Sequence, residues 1–152
     1  MDWNTVKGGD LIGPAVIGHR VWRYRLGPPL RLLSFGLGSS DFWLPDEAYA
    51  SDKEPNLDGS EMAYGIHAFA SLNVLQEWIK DLADMLIYRN IYAPDDPARF
   101  DGLVRGTVTL WGVCIDHQRG YRAQYARPAS FDEACGEHAD IALKRLRRMF
   151  VE

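Results

Sequence analysis

The pattern of apolar and polar positions predicts, first of all, a long β-hairpin in the second half of the chain. Two runs rich in β-branched and aromatic residues lie within Gly102–Pro128, and the short polar turn Asp116–Gly120 separates them. Runs of this composition on either side of a turn are typical of paired antiparallel strands. Gly106 and Gly112 interrupt the first run, which indicates bulges or strong bending and therefore a sheet that curls towards a half-barrel.

Three shorter strands are predicted ahead of this hairpin. Val16–Leu26 is rich in strand-favouring residues, and Leu30–Phe35 is its return strand, because Gly27-Pro28-Pro29 between them is a turn signal. Gly65–Phe69 is a short apolar strand that leads into a helix. The stretch Gly36–Ser60 is punctuated by Gly, Ser, Pro and Asp, and it is predicted to be a long loop.

Apolar residues recur at three- and four-residue steps after Ser71, and this spacing predicts an amphipathic helix over Leu72–Arg89. Ser71 itself is the predicted N-cap residue, because its hydroxyl can accept a hydrogen bond from an N–H of the first turn. Trp78 falls on the apolar face of this helix. We therefore expect Trp78 to lie in the core.

A second amphipathic helix is predicted over Phe131–Val151. Ser130 and Glu133 have the spacing of a capping box, and apolar residues follow with helical period. Acidic residues at the start of this helix and the basic cluster Lys144–Arg148 near its end match the helix dipole. This match explains the basic cluster better than a nucleic-acid-binding patch does.

Together these elements predict an α+β fold in which two amphipathic helices pack on a curved, mostly antiparallel sheet. A chain of 152 residues has the usual size of one domain. We place the domain at residues 16–152. Residues 1–15 show no sustained period, and we predict that they form an N-terminal arm.

Charge and hydropathy argue against two classes of partner. The net charge is −4 and the sequence pI is about 5.5, whereas a general binder of DNA or RNA needs positive charge against the phosphates. No apolar run reaches the roughly 20 residues of a membrane span, and no secretory signal pattern is present. We therefore expect a cytoplasmic protein that binds neither nucleic acid in general nor a membrane.

Motifs for catalysis and metal binding are weak. Cys114 and Cys135 have no C-x-x-C spacing, the four histidines do not form a ligand pattern, and G-x-S-x-G is absent. We therefore expect no cofactor, no metal site and no catalytic residue. His67, at a predicted strand-to-helix junction, keeps two interpretations: a general base, or a half-buried histidine satisfied by the backbone.

Arginine and aromatic residues form the most distinctive candidate surface. If the two predicted hairpins pair, arginines from both can line one groove with Tyr121 and Tyr125, and guanidinium groups beside aromatic rings bind anions or planar ligands. The alternative is a solvated sheet face. The candidate residues for binding a ligand or partner are Trp43, His67, Trp111, Arg122 and Arg23.

Three motifs stand out: G-I-H-A-F at Gly65–Phe69, G-x-V-x-L-W-G-V at Gly106–Val113 and G-Y-R-A-Q-Y-A-R-P at Gly120–Pro128. Over residues 43–128 they resemble a family of small uncharacterised proteins of actinobacteria and phages. The family pattern has cysteines ahead of G-I-Y-A and an acidic residue after R-A, whereas this chain has Ala63-Tyr64 and Gln124. The resemblance implies a shared fold unit and assigns no activity.

From these observations we expect a non-enzymatic cytoplasmic binding or regulatory module of phage or mobile-element origin. Its aromatic and arginine face would bind a protein or a small anionic ligand, and self-association into a homo-oligomer is a further expectation. The alternative is an enzyme, a diverged ADP-ribosyltransferase-like domain in which Arg23 and His67 contact NAD. That alternative rests on analogy between folds.

Overall fold

The structure is a computed structural model that describes residues 10–12, 15–34, 42–51, 54–55, 65–79, 81–85 and 100–149. The strands are β1 (Asp10–Ile12), β2 (Ala15–Arg25), β3 (Arg31–Ser34), β4 (Phe42–Trp43), β5 (Tyr49–Ala50), β6 (Ile66–Phe69), β7 (Gly102–Asp116) and β8 (Gly120–Gly136). The helices are α1 (Leu72–Ile79) and α2 (Ala139–Arg148). All described strand pairs are antiparallel, so the predicted α+β class is confirmed.

The long hairpin of β7 and β8 is the frame on which the rest of the sheet is assembled. The second edge of β7 pairs with β1 and β2, and the second edge of β8 pairs with β6 and β5. β6 also meets β2 through the pair His19 and Phe69, which closes β2, β7, β8 and β6 into a ring. β3 extends the sheet from β2, and β4 from β3. The predicted curvature is therefore present, and it reaches closure.

A glycine allows the ring to close. A Cβ atom at Gly18 of β2 would lie 2.6 Å from the Cβ of Ala68 on β6. Two carbon atoms cannot approach that closely, so only glycine lets the two backbones come together here. Near the same seam the guanidinium of Arg20 donates a hydrogen bond to the carbonyl oxygen of His67. This side chain bridges β2 and β6 where the backbone ladder between them is short.

Two bulges bend the long hairpin at the predicted glycines. The register of β7 against β8 shifts at three places, and two of them lie at these glycines, between Arg105 and Gly106 and between Trp111 and Cys114. Gly112, inside the second bulge, has a φ of 79°, a left-handed conformation that glycine adopts without steric cost. The predicted bending at both glycines is confirmed.

The inner face of the ring holds the main hydrophobic core. Trp22 is fully buried, and its ring meets Trp43 edge-on at 5.8 Å and Phe131 at 5.6 Å between centroids. Helix α2 adds Ala142 and Leu146, neither of which has exposed surface. Burial of apolar area of this kind is the main favourable contribution to folding.

Helix α1 covers part of the opposite, outer face of the sheet. Its residues Leu75 and Ile79 pack with Val21 of β2 in a second apolar cluster. The hydroxyl of Ser71 accepts a hydrogen bond from the N–H of Val74 at 3.2 Å. The predicted N-cap is therefore confirmed.

The predicted helix over Leu72–Arg89 is interrupted. Helix α1 ends at Ile79, and the carboxylate of Asp81 accepts a hydrogen bond from the N–H of Ala83 at 2.8 Å. This bond gives a partner to one of the backbone N–H groups at the start of a separate helical turn, residues 82–85. The remainder of the predicted range lies outside the described residues.

The expected core position of Trp78 is wrong. Its side chain is 41% exposed, and its ring lies against that of Phe69 at 5.4 Å between centroids. The buried stripe of α1 is limited to Leu75 and Ile79. Trp78 therefore lies at the margin of this contact and shields Phe69 from the side.

The predicted helix over Phe131–Val151 is wrong in its first part. Strand β8 continues through Gly136, and α2 begins only at Ala139. Phe131 is buried in the core opposite Gly106 of β7, so burial favours the strand conformation there. The periodicity of the apolar residues did not distinguish the end of a strand from the start of a helix.

The residues of the predicted capping box make contacts across strands instead. The hydroxyls of Ser130 and Thr107 form a hydrogen bond of 2.7 Å between β8 and β7. The Glu133 carboxylate pairs with the guanidinium of Arg105 at 3.1 Å. The two residues that are spaced like a capping box therefore connect β8 to β7, and they do not cap a helix.

The remaining predictions concern the strands ahead of the hairpin. β2, β3 and β6 confirm the three predicted short strands, and no strand end differs from its prediction by more than one residue. Of the predicted arm, residues 10–12 form β1 against β7 and residue 15 begins β2, whereas residues 1–9 and 13–14 lie outside the described part. The predicted loop contains the short strands β4 and β5.

Candidate functional site

His67 and Arg122, two of the predicted binding residues, are direct neighbours across β6 and β8. Residues directly opposite each other in an antiparallel pair place their side chains on the same face. That face is the outer one, because the adjacent residues Ile66 and Ala68 belong to the inner core. The fold therefore brings these two side chains together.

Arg122 is fully buried and is anchored to the hairpin turn. Its Nε donates a hydrogen bond to Nε2 of His117 at 3.0 Å, and His117 is only 7% exposed. An acceptor nitrogen carries no proton, so this bond assigns the neutral imidazole with its proton on Nδ1. The sequence-based selection missed His117. The tight turn that sets Asp116 opposite Tyr121 is the signal that could have found it.

Trp43, selected as a binding residue, is instead part of the core. It is 2% exposed, and its ring stacks on Tyr49 at 4.7 Å with an angle of 15° between the planes. The guanidinium carbon of Arg20 lies 4.8 Å from the centroid of the Trp43 ring, a cation–π contact. Burial lowers the pKa of Arg20 to about 10, which still leaves this cation charged at neutral pH.

Arg23 is likewise buried, at a different place in the sheet. It has no exposed surface, and its guanidinium carbon lies 5.6 Å from the ring centroid of Phe100. Arg23 is opposite Leu103 near the start of β7, whereas Tyr125 is opposite Trp111, well along the same strand. The expected groove that combines Arg23 with Tyr125 is therefore not formed.

Trp111 is partly exposed and stacks on Tyr125 across β7 and β8. The ring centroids are 5.8 Å apart and the planes are inclined by 27°. Ala15 of β2 is opposite Trp111 on the other side, and Ile17, which is 52% exposed, is opposite Thr109. We name this part of the outer sheet surface the open face. It consists of Ala15, Ile17, Thr109, Trp111, Tyr125 and Arg127.

Gln124 stands where the resembled family has an acidic residue, and here it supports the bulge beside the open face. Its side-chain oxygen accepts a hydrogen bond from the N–H of Val113 at 3.2 Å. Its backbone carbonyl accepts one from the N–H of Ser51 at 2.9 Å. The amide therefore has a structural role at a position where the family pattern carries a charge.

The described residues offer little for covalent or metal chemistry. Burial is the main cause that raises the pKa of the Cys114 thiol to about 11, so the thiolate nucleophile is disfavoured at neutral pH. Among the residues that the structure describes, no group of three or more His, Cys, Asp and Glu side chains is arranged to hold a metal ion. No helix within the described ranges has the length and apolar character needed to cross a membrane.

Comparison of the chain with protein-family models, with curated proteins and with solved structures found no match. The relation to small actinobacterial and phage proteins therefore stays a prediction. Two features of the structure bear on function: the open face, and the group of His67, Arg122 and His117, in which Arg122 and His117 are buried and His67 is half-buried.

Proposed function

We propose that this chain is a non-enzymatic binding module that recognises a partner protein through the open face. The observation that carries the proposal is the stacked pair of Trp111 and Tyr125 on a part of the sheet that α1 does not cover. Aromatic residues of this kind provide much of the binding energy at protein interfaces.

The position of Trp111 suits an anchor residue. Its strand is paired on both sides, with Ala15 of β2 and with Tyr125 of β8, so its backbone is held in place before a partner arrives. A pre-positioned ring loses little conformational freedom on binding, which favours affinity. Ile17 extends the apolar surface by one row, so that a partner side chain could contact three strands at once.

Arg127 supplies positive charge at the border of this apolar surface. It is exposed, and its Nη2 donates a hydrogen bond to the carbonyl oxygen of Asp46 at 2.7 Å, which fixes the direction of the side chain. Charges at the border of an interface contribute to orientation and association rate more than to affinity. We therefore expect an acidic group in the partner next to its apolar contact.

The burial of two arginines supports a protein rather than a small anion as the ligand. Arg23 and Arg122 have no exposed surface, so an anion could reach neither guanidinium without displacing the groups around it. The same burial weighs against the enzyme alternative, in which Arg23 and His67 would contact NAD. Cytoplasmic location and phage or mobile-element origin remain expectations from the sequence.

The test compares Trp78, which is 41% exposed, with Trp111, which is partly exposed. The ring of Trp78 contacts that of Phe69, and the ring of Trp111 contacts that of Tyr125, so the two tryptophans lie on different parts of the surface. Photoreactive benzoylphenylalanine is placed at either position and irradiated in cells of the source organism. We expect a protein adduct from position 111 that position 78 does not give. Trp111→Ala should then weaken binding of the purified partner about tenfold or more.

Two results would overturn the proposal. One is the same adducts from both positions, which would indicate unspecific contact. The other is saturable calorimetric binding of NAD or inorganic phosphate that His67→Ala abolishes while Trp111→Ala leaves it unchanged. This second result would assign the function to a small ligand at β6 and β8.

A further inference from the structure

The stacked aromatic pair of the open face has an alanine on either side. Ala15 of β2 is opposite Trp111, and Ala50 of β5 is opposite Tyr125. Opposite residues of an antiparallel pair share one face of the sheet, and both alanines are exposed. Because a methyl group is small, neither alanine covers the outward face of the ring beside it. The two rings therefore form a ridge with a shallow space on each side.

Two polar groups on this ridge are available to a partner. In the described part of the chain, neither the indole N–H of Trp111 nor the hydroxyl of Tyr125 has a hydrogen-bond partner. Neither atom is buried, so an acceptor can reach both from outside. An indole N–H can only donate, and a tyrosine hydroxyl donates as well. The ridge therefore offers aromatic faces together with two hydrogen-bond donors.

The kind of main chain that can use these donors is limited. At Trp111 and Tyr125 both strands are paired on both edges, so a partner strand finds no backbone groups to pair with there. A helix uses most of its carbonyl oxygens internally. A polyproline II segment has no internal hydrogen bonds, so its carbonyl oxygens are available, and such segments dock on aromatic surfaces.

We propose that the open face binds a proline-rich segment of its partner in the polyproline II conformation, with an acidic residue beside the prolines. This inference rests on the proposed function of the open face. Proline rings pack against the outward faces of Trp111 and Tyr125, and carbonyl oxygens of the segment accept hydrogen bonds from the indole and the hydroxyl. The exposed cation Arg127, in the neighbouring row of the open face, complements the acidic residue.

The probe is a peptide of one glutamate and about eight prolines. In the control peptide alternating glycine and serine replace the prolines, which keeps the charge and gives a flexible chain. Tyr125→Phe removes only the hydroxyl, and Trp111→Phe keeps an aromatic ring but removes the indole N–H. Trp78→Phe makes the same change on another part of the surface. By calorimetry we expect the first two variants to bind the probe about three- to tenfold more weakly and Trp78→Phe to bind as the wild type.

Ala50→Ile tests the space beside Tyr125. The larger side chain covers the outward face of the tyrosine ring and leaves both donors in place, and isoleucine is favourable in a strand. We expect this variant to bind the probe at least three- to tenfold more weakly than the wild type. In NMR spectra of the wild type, the probe should shift the indole N–H signal of Trp111 and not that of Trp78.

The inference is overturned if the wild type does not bind the proline peptide, if the control peptide binds equally well, or if the folded variants bind as the wild type. If Trp111→Phe does not fold, Tyr125→Phe and Ala50→Ile decide. A specific adduct from position 111 without binding of the proline peptide would refute only the polyproline II partner. The same adducts from positions 78 and 111 would refute the proposed function itself.

Discussion

The two faces of the β2–β7–β8 sheet use aromatic residues in opposite ways. On the inner face Trp22 and Trp43 are almost completely buried and contact each other edge to face. On the outer face Trp111 remains partly exposed and stacks on Tyr125. The same residue type thus contributes to the core on one face, and on the other it lies in the surface that we propose for recognition.

The comparison shows that residue type alone does not assign these roles. Trp43 was expected to bind a partner and is in the core, whereas Trp78 was expected in the core and is 41% exposed. What separates them is the element on which each lies: Trp43 is on a short strand that pairs into the sheet, and Trp78 is at the margin of a short helix. Three predictions test this difference between buried and exposed positions.

The largest expected effect is that of Trp43→Ala. Removal of this ring leaves a cavity beside Trp22 and Tyr49, and such truncations cost about 3–5 kcal/mol. Trp78→Ala is the matched control on the outer surface, and we expect it to cost less than about 1 kcal/mol. The measurement is the free energy of unfolding from denaturant titrations. Equal losses for the two variants would show that the assignment of the two faces is incorrect.

The next effect concerns the seam where the sheet closes. Gly18→Ala places a Cβ 2.6 Å from that of Ala68, and the overpacking should cost about 1–3 kcal/mol. Ala68→Gly removes the opposing Cβ atom. We therefore expect Gly18→Ala to cost much less stability in the Ala68→Gly protein than in the wild type. The double-mutant cycle is measured by denaturant unfolding. Simple additivity of the two changes would contradict a direct contact between β2 and β6.

The smallest effect is a pH dependence at His19. Burial is the main cause that lowers the pKa of His19 below its ordinary value of 6.5, and Arg105 adds to this while Asp132 opposes it. As the pH falls below about 6.5, His19 therefore becomes protonated in the unfolded chain before it does so in the folded protein. The free energy of unfolding decreases over this range, until the pH has fallen below the pKa of His19 in the folded protein. His19→Gln should flatten this part of the stability profile, measured by thermal unfolding at a series of pH values. If the variant loses as much stability on acidification as the wild type, His19 is not responsible.

Local sequence signals located the strands well. The hairpin, its turn and the two bends followed from β-favouring residues interrupted by Gly106 and Gly112, because bulges and turns depend on a few neighbouring residues. Ser71 was recognised as a helix cap for the same reason. These features need only the backbone within one element or one tight turn.

The helix boundaries could not be predicted in the same way. Ser130 and Glu133 have the spacing of a capping box, but their partners Thr107 and Arg105 come from a strand more than twenty residues earlier in the chain. The interruption after Ile79 similarly depends on Asp81 capping a separate turn. The same side chains can form hydrogen bonds either in a helix cap or across two strands. Their spacing along the chain does not reveal which of these two arrangements packs better.

The candidate site was predicted in part. His67 and Arg122 belong to two of the distinctive motifs, and the fold sets them opposite each other. The burial of Arg122, its bond to His117 and the separation of Arg23 from Tyr125 depend on the register of three strands. A shift of one residue in that register would move each side chain to the other face.

The sequence by itself therefore determined the class of fold, the central hairpin and the glycines that bend it, since these follow from local conformational preferences. Only the tertiary structure decided that β6 closes the sheet against β2, that β8 continues to Gly136, and which tryptophan faces the core. The physical reason is that burial and strand register are set by contacts between distant parts of the chain. Those contacts override the local preferences of the residues that make them.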